Sequence, residues 1–116
     1  MILNINGKDY ELRYTFRTLK KLSLSGLDPV RDIDEIAKTV PNVIKAFHYG
    51  LLAENNKMTE AMTENLMDAY VAEGNSILED LAPLIGKAIL ESIGMSVDDA
   101  LENNEENDTQ ESEEGK

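Results

Sequence analysis

The sequence predicts an α+β fold that is mainly α: an N-terminal β-hairpin, then four to five short helices, then a disordered acidic tail. Three observations carry this prediction. An Asn6-Gly7 dipeptide separates two alternating apolar segments, which is the strongest short-range hairpin signal. From Phe16 to Ile93, apolar residues recur at helical spacing between capping residues and glycines. After Leu101 no apolar residue occurs, so that segment has nothing to bury against the entropy of ordering.

The hairpin comes first. A two-residue Asn-Gly loop suits a type I′ turn, because both positions need positive φ. That loop pairs Ile5 with Lys8, Leu3 with Tyr10 and Met1 with Leu12. Opposed residues share a face. Met1, Leu3, Ile5, Tyr10 and Leu12 therefore form one apolar face, and Asn4, Asp9 and Glu11 the other, with Ile2 the exception.

Thr15 caps the first helix. Tyr14 precedes the cap and Leu19 is the fourth helical residue, the spacing of a hydrophobic staple. Phe16, Leu19 and Leu22 are expected to face inward, and Arg17, Lys20 and Lys21 outward, until Ser25-Gly26 ends the helix. A second helix starts either at Asp28-Pro29 or at the Asp32/Glu35 capping box. On either start it runs to about Val40, where Pro41 breaks or kinks it. From Pro41 to about Glu54 a third helix places Val43, Ile44, Phe47 and Leu51 on one face. Gly50 lies within it at a cost of about 1 kcal/mol relative to Ala, and permits close approach of a neighbouring helix. Thr59 caps a fourth helix with Met62, Leu66, Ala69 and Tyr70 as its stripe, and Gly74 stops it. The last helix carries Ile77, Leu78, Leu81, Leu84, Ile85, Ala88, Ile89 and Ile93. Pro83 lies inside this run and calls for a kink or a restart.

The 116 residues suit one domain, residues 1–95, followed by the tail, residues 96–116. With no cysteine, disulfides and thiolate metal sites are excluded. No apolar run is long enough to span a membrane, and no secretory leader is expected. A soluble intracellular protein is expected. Residues 96–116 hold nine acids against one lysine, so −8 of the net charge of −12 lies there. Such a tail is a solubilising segment, an interaction segment or a nucleic-acid mimic. Residues 1–27 lean the other way, at +3. Attraction between this basic end and the acidic tail is expected to be screened and weak.

Catalytic chemistry finds little to build on. One histidine, His48, cannot make a His₃ or His₂-carboxylate metal site within one chain, and no serine lies in a nucleophile-elbow context. Asp32, Asp34 and Glu35 are explained by helix capping rather than by calcium. The glycines are scattered singly, so there is no phosphate loop. Arg13, Arg17, Lys20 and Lys21 form a solvated face without the aromatic residues that stack nucleic-acid bases. No enzyme and no cofactor is expected. Met58, Met62 and Met67 either fill the core or adapt to partners. The Ile77–Ile93 helix is either central or offered to another chain. The candidate partner-binding residues are Met58, Met62, Leu78, Leu81, Ile85 and Ile89.

The layout resembles a known family. A hairpin "ILNINGKDYELRYTF" runs straight into "RTLKKL". "KMTEAMTENLMDAY" lies mid-chain, and the end is acidic. Over most of residues 1–93 this is similar to the tail assembly chaperones of long-tailed phages and prophages of Gram-positive bacteria. The resemblance implies an adaptor that coats the tape measure protein, keeps it soluble, promotes tail-tube polymerisation and is absent from the mature particle. It also implies a longer form, made by ribosomal frameshifting, that recruits the tail tube protein; self-association is a separate expectation. The ending Glu114-Gly115-Lys116 can be encoded by a slippery heptamer, G-GGA-AAG. The competing expectations are an acidic inhibitor that mimics DNA and a structural head–tail joining subunit. Most of the charge lies outside the expected folded body, which argues against the mimic.

Overall fold

The computed structural model describes residues 1–95; the expected disordered tail lies outside them. Strands β1 (Ile2–Ile5) and β2 (Lys8–Glu11) pair antiparallel in the register Leu3↔Tyr10 and Ile5↔Lys8. Asn6 at φ 57° and Gly7 at φ 80° make the turn. Leu3, Ile5 and Leu12 are buried while Ile2 is exposed, as the alternation requires.

Helix α1 (Phe16–Leu24) starts at Thr15, whose hydroxyl accepts from the Thr18 N–H at 3.2 Å, while the Thr15 N–H donates back to Thr18 Oγ1 at 2.9 Å. Leu19 and Leu22 are buried, but Phe16 is 75% exposed, which corrects the expected inward stripe. Phe16 is the first helical residue and lies in phase with Lys20, whereas Thr18, Leu19 and Leu22 form the buried arc.

The expected helix up to Val40 is shorter and placed differently. Asp28 Oδ1 accepts from the backbone of Val30 and Arg31, closing a single turn. Helix α2 covers only Ile33–Ile36, and Asp32 makes no side-chain cap to it. Helix α3 (Val40–Leu52) then begins, capped by Thr39. Pro41 therefore opens this helix, as the expected start at Pro41 had it, while α2 ends at Ile36, short of the expected Val40. Proline's fixed φ and missing N–H suit the first turn, where the N–H has no intrahelical acceptor.

Helix α4 (Glu60–Ala72) is capped by Thr59, whose hydroxyl accepts from Met62 N–H at 3.1 Å. Its buried residues are Thr63, Met67 and Tyr70. The stripe is rotated by about one position from the expected Met62, Leu66, Ala69 and Tyr70. Thr63 can occupy the core because its hydroxyl donates to the Thr59 carbonyl at 3.0 Å, so burial strands no polar atom.

Ser76 caps a π-helical turn, Ile77–Leu81, which leads into α5 (Ala82–Ser92). The Ala82 N–H reaches back five residues to the Ile77 carbonyl. Pro83 thus sits at the start of α5, as the restart expectation had it.

Helix α3 is the hub and packs against α1, α2, α4, α5 and β2. Phe47, Val43 and Leu51 from α3 meet Leu12, Leu22, Leu81, Ile85 and Ile89 in one buried cluster. The close approach expected at Gly50 is real, but its partner is the chain just past β2 and not a helix. A Cβ at Gly50 would lie 2.4 Å from Leu12 Cδ1 and 2.7 Å from the Tyr14 hydroxyl.

Candidate partner-binding surface

Strand β2 and helix α4 enclose a groove of about 190 Å³. Lys8 and Tyr10 form one wall, and Met62, Asn65 and Leu66 the other. Met58, 5% exposed, is the floor. The Lys8 ammonium lies 5.5 Å from the centre of the Tyr10 ring, a cation–π contact that holds the rim. Two bonds tie the neighbouring segments together. The Asn6 N–H donates to Glu73 Oε2 at 3.0 Å, joining the hairpin turn to the last turn of α4. His48 Nε2–H donates to the Met58 carbonyl at 2.9 Å and holds the loop that carries the floor. The result is an apolar floor with an amide and ammonium rim.

A second surface lies on α1. Phe16, Lys20 and Leu24 follow one another at four-residue spacing, and Phe16 and Leu24 are 75% and 80% exposed. Beside them, Arg17 and Lys21 line a larger groove of about 570 Å³ whose other walls include Leu52, Ala53 and Asn56. Arg13 is paired with Glu54 at 2.7 Å. Among the described residues, Arg17, Lys20 and Lys21 have no such partner.

The residues expected to bind a partner separate into three groups. Met58 and Met62 line the same groove, one as floor and one, 44% exposed, as wall. Leu78 is 47% exposed on the π-helical turn and is not among the groove's lining residues. Leu81, Ile85 and Ile89 are fully buried, so they belong to the core and not to a docking face. Sequence reasoning missed Tyr10 and Lys8 as groove walls, and missed the outward pair Phe16 and Leu24. The four-residue spacing of Phe16, Lys20 and Leu24 was the available signal, because a lysine between two apolar residues on one line marks that line as solvent-facing.

The charged groups that depart from ordinary behaviour lie away from both grooves. Backbone donors from Arg31 and Val30 hold the Asp28 carboxyl below the usual carboxylate range. The Arg31 guanidinium, helped by the Asp28 N–H, does the same for Asp32. Burial pushes the Tyr14 phenol up. Among the described residues no three His, Asp or Glu side chains gather as a metal site, and no helix is long and apolar enough to cross a membrane. No family model, curated protein or solved structure matches the chain. The two surfaces offer recognition chemistry: apolar contact bordered by hydrogen-bond donors and positive charge.

Proposed function

We propose that this chain is a tail assembly chaperone of a long-tailed phage or prophage, acting in the cytoplasm of the bacterial host without catalysis or cofactor. It binds the tape measure protein, keeps that long helical chain soluble and promotes assembly of the tail tube around it. A frameshifted longer form that recruits the tail tube protein belongs to the same proposal. The observation that supports it best is the groove between β2 and α4, with its apolar floor and polar rim. A long amphipathic helix aggregates when its stripe is unpaired. A groove of this kind takes up a side chain of such a stripe, and repeated copies along the partner cover the rest. The negative charge of the chain keeps the coated complex dispersed.

The test is co-expression with the tape measure protein encoded in the same genome, scored as the soluble fraction of that partner. The expected result is a soluble partner with the unaltered chain and a precipitated one with Met62→Glu. A partner that stays insoluble in both cases defeats the proposal and brings the acidic-mimic reading forward. Recovery of the chain in purified particles would instead make it a structural subunit.

A further inference from the structure

The described body ends at Met95, just past α5. Glu91 and Ser92, in the last turn of α5, line one groove with Arg13 and Tyr14. Tyr14 is followed directly by Thr15, the cap of α1. The last turn of α5 therefore lies beside the chain that leads into α1. On α1, Arg17, Lys20 and Lys21 carry positive charge with no ion-pair partner among the described residues. On the same helix Phe16 and Leu24 are the two most exposed large apolar side chains among those residues.

We propose that the acidic segment 96–116 of the same chain docks on this outer face of α1. The chemistry is complementary on both counts. The segment brings Asp98, Asp99, Glu102, Glu105, Glu106 and Asp108 to three unpaired cations, and Val97 and Leu101 to the exposed apolar pair. Reach is ample: α1, with nine residues, is about 14 Å long, a span that about five extended residues cover. Exposed ion pairs are weak one by one and screened by salt. The covalent link offsets this, since two groups joined on one chain meet at an effective concentration on the order of mM. The contact is thus expected to form at low ionic strength and to open with salt. It is carried by α1 and its surroundings, independently of the chaperone reading.

The chain contains no cysteine, so a nitroxide on the full chain bearing Ser112→Cys reports one position only. The isotopically labelled protein at low ionic strength should lose about half the amide signal from Arg17 to Leu24, a level that a mM-range tether can reach. The signal should return in about 1 M salt, where the Debye length is about 3 Å. The same loss should vanish in the R17E/K21E variant, with the core resonances of that spectrum unchanged as the check on folding. Should that variant unfold, the salt titration of the parent decides alone. Unaltered α1 signals at low salt would overturn the proposal, as would equal loss on α4. Mixing spin-labelled, isotopically silent chains with unlabelled-spin, isotopically visible ones separates sources: loss of α1 signal there of equal size would mean another copy's tail and would also overturn it.

Discussion

The backbone N–H of Arg13 donates to the carbonyl of Gly50 at 2.9 Å. This single bond joins the chain just past β2 to the last turn of α3. It is possible because residue 50 has no side chain. Leu12 and Tyr14, on either side of Arg13, occupy the space a Cβ would need. The Tyr14 hydroxyl donates to the Ala46 carbonyl at 2.6 Å, one helical turn earlier. Two bonds and one missing methyl thus set how the hairpin sits on the hub helix. That position in turn places the Lys8/Tyr10 wall of the groove.

Gly50→Ala should therefore destabilise the fold, although alanine is the better helix former by about 1 kcal/mol. The added Cβ meets the Tyr14 ring carbon at 2.8 Å, and the ring is held by its own hydrogen bond. Overpacking of this kind costs about 1–3 kcal/mol, so the clash outweighs the propensity gain. Urea unfolding should show a lower midpoint. An unchanged or raised midpoint would mean the hairpin shifts away freely.

Tyr14→Phe should cost about 1 kcal/mol by losing a buried hydrogen bond. It should also change the alkaline response. Burial raises the folded phenol above its ordinary value of 10.0. In the unfolded chain the phenol ionises near pH 10, while in the folded one it stays neutral. The stabilising effect is thus fully present below pH 10 and falls as pH rises, by about 1.4 kcal/mol per unit for one proton. Tyr14→Phe should show a shallower decline. Parallel declines in the two proteins would rule out Tyr14 as the source.

Asp28 should contribute to the acid response. Its carboxylate accepts from Arg31 N–H at 2.8 Å and from Val30 N–H at 3.0 Å, which lowers its proton affinity in the folded state. Above the ordinary carboxylate range both states are ionised and the cap's contribution is complete. As pH falls, the unfolded chain takes up the proton first, and stability is lost through the folded-state value, below about pH 4. Asp28→Asn keeps an acceptor at the cap but cannot titrate. Its unfolding midpoint should depend less on pH below about 4 than that of the unaltered protein. Identical acid profiles would show that other carboxylates control the transition.

What was legible in the sequence was local chemistry. Asn6-Gly7 dictates a turn by its own backbone preference, and Thr15, Thr59 and Gly74 mark helix ends by bonds or angles made within a few residues. The azimuth of a helix is another matter. Phe16 and Met62 are both exposed because the facing element accepts the neighbouring arc, Thr18 in one helix and Thr63 in the other. A buried threonine that bonds to its own preceding turn looks polar in sequence and apolar in the fold. Pro41 was legible for the same local reason as the caps, since its fixed φ and missing N–H suit a first helical turn; what was not legible was that α2 ends at Ile36, short of Val40. The groove was half legible. Met58 and Met62 were within reach of sequence reasoning. Tyr10 was not, because its place opposite α4 follows from the packing of the hairpin on α3 and α4.

The groove between β2 and α4 gives the last prediction, and burial decides which residue can test its proposed role. Met58 and Met62 both line the groove, yet they respond oppositely to a charge. Met58 is 5% exposed and Met62 is 44% exposed. A glutamate at 58 would put its carboxylate at the buried floor, below the exposed Lys8 of the rim; a buried charge costs several kcal/mol or forces the group to take up a proton. Met58→Glu should therefore unfold or strongly destabilise the body, and loss of partner binding in that variant would say nothing about the surface. Met62→Glu leaves its carboxylate in solvent at the rim, so its unfolding midpoint should stay within about 0.5 kcal/mol of the parent, as for ordinary surface changes. It should still remove the apolar wall opposite Tyr10 and so abolish solubilisation of the proposed tape measure partner. Leu78→Glu serves as the companion, exposed to a similar degree but outside the groove. It should leave both stability and solubilisation intact. Were Leu78→Glu to abolish solubilisation while Met62→Glu did not, the docking surface would lie on the π-helical turn, and the groove would be only a seam between hairpin and helix.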